Sequence, residues 1–206
     1  MEIMQSRVLD VEQQYGQIRA FVLGGAIFCY PTDTCYALGA NALMEDAVHK
    51  IYYIKDRERS KPLPVIVRDM GVAAKFAVIG PRARAVLDAF PGISVVVPKQ
   101  SIPDIVNPSR IMLRIPSDAR TQSLMRGISV PIISTSANRA GDPNPYTVGD
   151  VSASLSDKLP LIDFTIDAGK LPPTPSSTII DCVEGKVYRE GVYAAEDVLE
   201  VYYGAD

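Results

Sequence analysis

The polar side chains best suited to bind a ligand lie in short clusters, each directly after an apolar run. The first cluster, residues 30–39, follows the apolar run 26–29 and carries a Thr-Asp-Thr triplet at 32–34. Because proline cannot donate to a sheet ladder, we expect a buried strand to stop at Pro31, with the triplet at its carboxyl end. Open α/β sheets place ligand sites at such ends. The cluster is therefore either a site for a small polar ligand or an ordinary polar turn.

A second cluster, residues 55–63, holds several cations at the end of a helix predicted over residues 44–55. Cations at a helix C-terminus are favoured by the helix dipole and need no other function. The alternative is an anion clamp, since Arg forks bind phosphate or carboxylate bidentately and Lys acts as a point charge. Asp56 and Glu58 interrupt the run, which favours selected cations pointing to one side. The cations are Lys55, Arg57, Arg59 and Lys61.

The third cluster, residues 134–138, follows the apolar run 131–133 and leads into a loop rich in Gly and Pro at 141–145. Its hydroxyl and amide groups could bond the phosphates or ribose of a nucleotide. The alternative is an ordinary Ser/Thr turn with a helix cap. The sequence alone leaves both interpretations open.

Two arginines accompany further polar groups. Arg114 lies within the otherwise apolar run 111–116, where a charge needs a partner or a ligand carboxylate. Residues 176–181 begin with hydroxyl side chains and precede Arg189, which again pairs hydroxyls with a cation. Both arginines are candidates for binding an anion.

The elements that must position these clusters alternate along the chain. Helices are predicted at residues 10–23, 44–55, 70–77, 81–89, 117–127, 147–156 and 194–202, and strands at 26–29, 63–67, 93–97, 111–115, 131–135, 161–166, 177–181 and 186–189. Several strand pairs are joined too tightly for βαβ crossovers. We therefore predict an α/β fold with a mixed, partly antiparallel sheet, flanking helices and a concave ligand cavity. A length of 206 residues suits a single domain over residues 1–206.

Composition narrows the function. The net charge of −3 gives no global positive field for nucleic acid, so any basic surface must be local. The three cysteines lack metal-ligand spacing, and with one histidine they argue against a zinc site. We expect a structural or solvent role for His49, on the exposed helix face, and a packing role for Cys35. The phosphate-binding P-loop and the dinucleotide fingerprint are both missing from the sequence.

Targeting signals are also missing from the sequence. The first 25 residues are too charged for a signal peptide, and no apolar run approaches the ~20 residues that a membrane span requires. We therefore expect a cytoplasmic protein with no membrane partner.

The clusters, in this order and spacing, resemble the YrdC-like family of L-threonylcarbamoyladenylate synthases. The resemblance extends over about residues 12–193, and its ordered set of motifs is far more specific than any single motif. Asp33, Cys35 and Ala37 depart from the commoner Glu, Val and Gly without removing a needed group. The matching positions are residues 30–39, Lys55 with Arg57, residues 62–63, Arg114 with Pro116, residues 136–138, residues 177–181, and Arg189 with Gly191.

This resemblance implies a nucleotidyltransferase that uses ATP, L-threonine and bicarbonate or carbon dioxide. It implies that the carboxylate of N-carboxythreonine attacks the ATP α-phosphate and expels pyrophosphate. Mg²⁺ would travel on the ATP phosphates. The product would pass to a separate tRNA threonylcarbamoyl transferase complex that modifies tRNA position 37, with a possible weak tRNA contact by this chain.

The resemblance also implies a role for each matching residue. Lys55 and Arg57 would be catalytic, acting at the phosphates. The threonine-binding residues would be Thr34, Arg114, Ser134 and Ser177, with Arg114 pairing the carboxylate. The ATP-binding residues would be Lys55, Arg57, Lys61, Ser136, Asn144 and Arg189. The resemblance names no metal ligand, and residues 192–206 would form a C-terminal helical segment.

Two alternatives stay open. A YciO-type paralogue would share the fold but bind RNA without this activity, using a basic surface around residues 55–61. A related adenylating or carbamoyl-transfer enzyme would use another acceptor. The Lys-x-Arg pair at 55–57 and the Ser-Ala-Asn motif at 136–138 favour the synthase.

Overall fold

The computed structural model describes residues 7–8 and 12–205, and all of the described strands join one ten-stranded sheet. The strands are β1 Arg7–Val8, β2 Phe28–Pro31, β3 Tyr36–Asn41, β4 Val65–Ile66, β5 Ser94–Pro98, β6 Arg110–Arg114, β7 Ile132–Ser136, β8 Phe164–Thr165, β9 Ile179–Asp181 and β10 Lys186–Arg189. Across the sheet they run in the order β1-β8-β2-β3-β7-β4-β6-β5-β9-β10.

The sheet mixes parallel and antiparallel pairs, as the tight connections predicted. β2, β3 and β7 form an antiparallel group, and β5 with β6 is antiparallel as well. The pairs β2/β8, β4/β6 and β5/β9 are parallel. Alternate residues of a strand face the same side of a sheet, so Met112 and Arg114 of β6 share a face, as do Ser134 and Ser136 of β7.

Seven helices and one short 3₁₀ helix are seen among the described residues. The helices are α1 Tyr15–Leu23, α2 Glu45–Ile54, α3 Met70–Phe76, α4 Pro81–Ala89, α5 Ala119–Met125, α6 Val148–Ser154 and α7 Ala195–Gly204, and the 3₁₀ helix is Leu159–Leu161. α2 follows its predicted pattern, because Ala47, Val48 and Ile51 are buried while the acidic pair at 45–46 opens the helix.

Buried apolar residues form two core clusters. The larger includes the buried face of α2, and the smaller includes Ile18 and Val22 of α1. In the smaller cluster Phe28 stacks on Phe164 with ring centroids 5.2 Å apart. Gly39 lies opposite Phe28 in the β2/β3 register, and a Cβ there would come within 2.3 Å of the Phe28 ring. The glycine at the end of the first motif therefore makes room for the core.

Several predicted boundaries differ from the structure. The helix predicted over 10–23 begins at Tyr15, and its first two predicted residues lie outside the described chain. The first strand runs to Pro31 as its last residue rather than over 26–29. The strand predicted over 161–166 shortens to Phe164–Thr165, because the 3₁₀ helix occupies Leu159–Leu161.

Two strands were not predicted, the two-residue β1 and the longer β3. Residues 36–41 were interpreted only as part of a ligand-binding motif, yet they form β3, whose six residues are all buried. β3 lies inside the sheet, between β2 and β7, and both of its faces are buried. Burial on both faces removes the alternation of apolar and polar residues that marks a half-exposed strand.

Candidate functional site

A cavity of about 360 Å³ lies over one face of the sheet. Its walls come from the β2–β3 turn, from β4, β6 and β7, and from the segment that leads into β9 and β10. Val65, Met112 and Ile179 supply apolar surface between the polar groups. Eight of the ten predicted site residues line the cavity: Thr34, Arg57, Arg114, Ser134, Ser136, Asn144, Ser177 and Arg189.

Thr32 organises the turn after β2. Its hydroxyl donates to the Cys35 carbonyl at 2.7 Å and accepts from the backbone amides of Thr34 and Cys35, each at 3.2 Å. Because the single hydrogen of the Thr32 hydroxyl is donated to the Cys35 carbonyl, it is not available to Thr34 Oγ1, which lies 3.1 Å away. The Thr34 oxygen is then left able to accept a hydrogen bond from a ligand.

Arg114 reaches this turn from the end of β6. Its two terminal nitrogens donate to the Asp33 carboxylate at 2.9 and 2.5 Å, and its Nε donates to the Gly92 carbonyl at 2.5 Å. The Arg114 side chain is 13% exposed and the Asp33 side chain 28%. The charge predicted to need a partner therefore has one within the chain.

Arg57 and Arg189 are held differently. Arg57 donates from Nε to the Lys61 carbonyl at 3.1 Å and from a terminal nitrogen to the Pro62 carbonyl at 2.9 Å. Arg189 donates to the Ser177 carbonyl through Nε and a terminal nitrogen, at 3.1 and 2.8 Å. Burial lowers the pKa of both guanidinium groups, and the charge of Arg114 adds to the effect on Arg189.

The cavity is electropositive as a result. Among the residues that the structure describes, no Asp or Glu lines its wall, and Asp33 neutralises Arg114 alone. Arginine stays protonated even with a lowered pKa, so Arg57 and Arg189 leave two positive charges facing the space. An anion entering this cavity would meet preorganised donors.

Buried hydroxyl pairs orient the serines of the wall. Tyr30, which is fully buried, donates to Ser134 Oγ at 2.6 Å. Burial raises the pKa of Tyr30, so the phenol keeps its proton and Ser134 keeps its own hydrogen for another acceptor. In a second pair, Ser94 Oγ and Ser177 Oγ lie 2.9 Å apart.

Lys55 and Lys61 do not line the cavity. Lys55 is 2% exposed, and its ammonium donates to the carbonyls of Ser136 and Asn138 and to Asn138 Oδ1. Burial lowers its pKa to about 7, and the charge of Arg57 contributes. Lys61 lies at the surface and pairs with Glu58 at 3.6 Å.

Asn138 links Lys55 to the loop that carries Asn144. Its Oδ1 accepts from Ser136 Oγ at 2.6 Å, while its Nδ2 donates to the carbonyls of Asp142 and Pro143 at 2.6 and 3.0 Å. Lys55 thus supports the cavity wall from behind through this side chain, a geometry that the motif spacing did not reveal.

Sequence reasoning missed three contributors: Tyr30 as a partner of Ser134, Ser94 as a partner of Ser177, and Asp33 as the partner of Arg114. A serine at the start of the apolar run 94–97 was a visible signal for Ser94. The two other partnerships join residues 104 and 81 positions apart, which no local pattern reports.

Cys35 and His49 were expected to have no role in chemistry. Cys35 lines the cavity at 6% exposure, and burial raises the pKa of its thiol, so the neutral form prevails. His49 is half-buried on α2 rather than exposed. Within the described part of the chain, no group of three or more His, Cys, Asp or Glu side chains could hold a metal ion. The described helices include none long and apolar enough to cross a bilayer.

Comparison with known proteins adds to this geometry. A family model that covers Sua5, YciO and YrdC proteins, described as telomere recombination, matches residues 20–191. A Methanocaldococcus jannaschii protein to which threonylcarbamoyl-AMP synthase activity is attributed is 40% identical over 177 residues, covering 83% of this chain and 82% of that protein.

Two longer proteins are also similar. The threonylcarbamoyl-AMP synthase of Bacillus subtilis is 29% identical over 182 residues, covering 84% of this chain and 51% of that protein. The crystal structure of Pyrococcus abyssi Sua5 complexed with L-threonine matches with a TM-score of 0.84 at 28% identity, covering 97% of this chain. This chain covers 60% of the P. abyssi protein, and so spans between half and two thirds of these longer relatives. The structural match confirms the predicted fold class.

Proposed function

Because the chain belongs to the Sua5, YciO and YrdC family, as its motifs predicted, we propose that it is a threonylcarbamoyl-AMP synthase. Relatives that carry this name in M. jannaschii and B. subtilis support the proposal. The observation that carries it is the convergence of Arg57, Arg114 and Arg189 on one hydroxyl-lined cavity. Such a cavity suits a reaction between anions.

The proposed reaction has two steps. The amine of L-threonine combines with bicarbonate, with loss of water, to give the carbamate of N-carboxythreonine. A carbamate oxygen then attacks the α-phosphorus of ATP, the bond to the bridging β-phosphate oxygen breaks, and pyrophosphate leaves. Both partners of the second step are anionic, so its barrier is lowered by positioning and by fixed positive charge more than by a general base.

The nucleotide side of the cavity is assigned to Arg57 and Arg189. Their described contacts include no carboxylate, so their guanidinium groups can receive phosphate oxygens. Ser136 and Asn144 would bond the nucleotide, and Lys55 would hold their loop through Asn138 rather than touch the phosphates. Lys61 would reach the nucleotide only by leaving its surface position.

The threonine side is assigned to the wall around Arg114, with Thr34, Ser134 and Ser177. Arg114 would pair the amino-acid carboxylate. The Thr34 oxygen can accept from the substrate's ammonium or hydroxyl group, while the Ser134 hydrogen can be donated to an oxygen of the substrate. These hydroxyls add specificity without adding charge.

Mg²⁺ is proposed to enter with ATP. The described cavity wall offers hydroxyl, amide and guanidinium groups, so a dication would be repelled unless phosphates carried it. The chain's residues therefore fit a metal that keeps phosphate and water ligands. When bound, Mg²⁺ would screen phosphate charge and help pyrophosphate to leave.

The destination of the product is part of the same proposal. Threonylcarbamoyl-AMP would pass in the cytoplasm to a tRNA threonylcarbamoyl transferase complex, and any contact between this chain and tRNA would be weak. The net charge of −3 supports a minor role for nucleic acid.

The test is release of pyrophosphate by the purified chain with ATP, L-threonine, bicarbonate and Mg²⁺. We expect release only in the complete mixture, and threonylcarbamoyl-AMP as the other product by mass spectrometry. Omission of threonine or bicarbonate is the matched control. Pyrophosphate released equally without threonine would contradict the proposal.

The same assay separates the alternatives. Activity with another amino acid and none with threonine would identify a different acceptor. No activity together with RNA binding that weakens steeply with salt would identify a YciO-type RNA-binding protein.

A further inference from the structure

Three of the five N–H donors of Arg114 are already engaged in hydrogen bonds within the chain. A guanidinium carries five N–H groups, and here one of them, on Nε, donates to the Gly92 carbonyl. One N–H from each terminal nitrogen donates to the two oxygens of Asp33, which fills the end-on fork. The two N–H groups that remain lie on opposite edges of the planar group. No edge therefore offers a free pair to a second carboxylate.

A substrate carboxylate must consequently accept one of two arrangements. It takes a single N–H of Arg114, or it removes Asp33 and takes the fork. A bidentate bond between guanidinium and carboxylate is the stronger and more specific arrangement. Two carboxylates placed on one guanidinium would also repel each other. Exchange is favoured over sharing.

The two partners differ in how firmly they are held. Arg114 is anchored by Gly92, which has a φ of 78°, and a Cβ at that glycine would lie 2.9 Å from a terminal nitrogen of Arg114. The backbone around Asp33 is fixed by Thr32, but its side chain is 28% exposed and Arg114 is the partner that the described contacts give it. Rotation of the Asp33 side chain would release the fork without moving the wall.

We propose that Asp33 is an internal carboxylate that the amino-acid substrate displaces from Arg114, and that it thereby sets the affinity of this site for carboxylates. Asp33 is then a specificity-determining residue rather than a permanent brace for Arg114. The identity of the substrate as threonine rests on the proposed function, whereas the exchange itself concerns any ligand carboxylate.

The variant Asp33→Asn tests the exchange. Asparagine keeps the shape of the side chain but removes its negative charge, so it competes poorly for the fork. We expect the Kd of L-threonine, measured by calorimetry without ATP, to fall about tenfold, in line with one charge-assisted hydrogen bond. A brace would have the opposite effect, because loss of the ion pair would loosen Arg114 and weaken binding.

Controls separate this effect from a general change in charge. Asp88→Asn removes a carboxylate from an exposed ion pair with Arg84 on α4, and should leave the Kd unchanged. Asp33→Glu restores a carboxylate and should lose the gain. Unchanged, weaker or undetectable threonine binding by folded Asp33→Asn, when the wild type does bind threonine, overturns the proposal.

Propionate gives a readout that is independent of the proposed function, since it carries a carboxylate and no amine or hydroxyl group. If the wild type releases no threonine-dependent pyrophosphate, the function fails, but propionate binding still decides the exchange. Tighter binding of propionate by Asp33→Asn supports the exchange, and any other result overturns it.

A second measurement needs no variant and covers failure of Asp33→Asn to fold. In a crystal structure of the wild-type protein with propionate or threonine bound, the ligand carboxylate should occupy the Arg114 fork and Asp33 should have turned away. An intact pair between Asp33 and Arg114 beside a bound ligand overturns the proposal.

Discussion

The two walls of the cavity hold their cations in different ways. On one wall the guanidinium of Arg114 meets a carboxylate, Asp33, and the pair is close to neutral. On the other wall Arg57 meets main-chain carbonyls, and Arg189 meets the carbonyl and the hydroxyl of Ser177. No carboxylate is among their described partners, so neither charge is cancelled. The same side-chain type therefore serves two electrostatic purposes within one cavity.

This contrast separates the anions that each wall can receive. A carbonyl dipole orients a guanidinium without cancelling its charge, so the wall of Arg57 and Arg189 attracts phosphates at a distance. A carboxylate partner cancels the long-range attraction and leaves a fork that opens only by exchange. The cavity can thus hold polyphosphate on one side and a single carboxylate on the other.

The largest expected effect comes from breaking the charged wall. Arg57→Ala removes a cation that is preorganised for the phosphates, and should lower the rate of pyrophosphate release about 10²–10³-fold. The KM for ATP should rise more than the KM for threonine, because the proposed function assigns Arg57 to the nucleotide side. Steady-state kinetics with each substrate varied in turn measures both effects.

The neighbouring exposed cation provides the control. Arg59 follows the same helix end but is exposed and does not line the cavity, so Arg59→Ala should stay near the wild-type rate. Arg57→Lys should recover part of the lost rate, because lysine restores the positive charge but cannot bind phosphate through two parallel N–H groups. A wild-type rate in Arg57→Ala would refute the assignment of this wall to the nucleotide.

Much of the cavity lining was predictable because its signals are local. Hydroxyls after apolar runs and the ordered motifs indicated Thr34, Ser134, Ser136 and Ser177, all of which the structure brings to one cavity. The strand β3 was hidden by its own burial, as six buried residues show no alternation.

Side-chain direction was not predictable in the same way. The family resemblance implied that Lys55 and Arg57 both act at the phosphates, yet Lys55 turns inward to Asn138 while Arg57 lines the cavity. Between them Asp56 adopts a φ of 47°, a left-handed conformation that redirects the chain at the end of α2. The carbonyls that accept hydrogen bonds from Lys55 belong to residues more than 80 positions away along the chain, so no local pattern indicates them.

Lys55→Met sharpens the comparison by testing a cation that supports the wall without facing it. The carbonyl of Asn138 has Lys55 as its donor in the described contacts, so its loss should lower the free energy of unfolding by about 1–3 kcal/mol. The exposed Lys50 of the same helix gives the control variant Lys50→Met, which should change little. Urea unfolding measures both.

The pH dependence of that difference has a definite sign. Burial lowers the pKa of Lys55 to about 7, against 10.5 for an ordinary lysine. Between these values the unfolded chain holds a proton that the folded chain has released, so stability of the wild type gains with rising pH. The stability of the wild type relative to Lys55→Met should therefore increase from about pH 7 to pH 10. A difference that is constant over this range would show that the three oxygens around the ammonium keep it charged.

The smallest expected effect concerns the hydroxyl that Tyr30 orients on the threonine wall. Tyr30→Phe removes the donor to Ser134 Oγ, so the orientation of the serine hydrogen toward the cavity is no longer fixed. A neutral hydrogen bond contributes about 0.5–1.5 kcal/mol, so the KM for threonine should rise roughly two- to tenfold. The KM for ATP should stay unchanged, since the contact lies on the wall of Arg114.

A purely structural role for Tyr30 would give another pattern. Loss of a buried hydroxyl from the core would lower the melting temperature and both substrate affinities together. Tyr202→Phe is the matched control, because the Tyr202 hydroxyl donates to the Cys182 carbonyl at 3.0 Å outside the cavity lining. Equal changes in both KM values for Tyr30→Phe would contradict a role in orienting Ser134. A rise in the KM for threonine alone would show that the two walls differ in more than charge. On the wall of Arg114, Tyr30 would then determine that the Ser134 hydroxyl donates its hydrogen to the substrate.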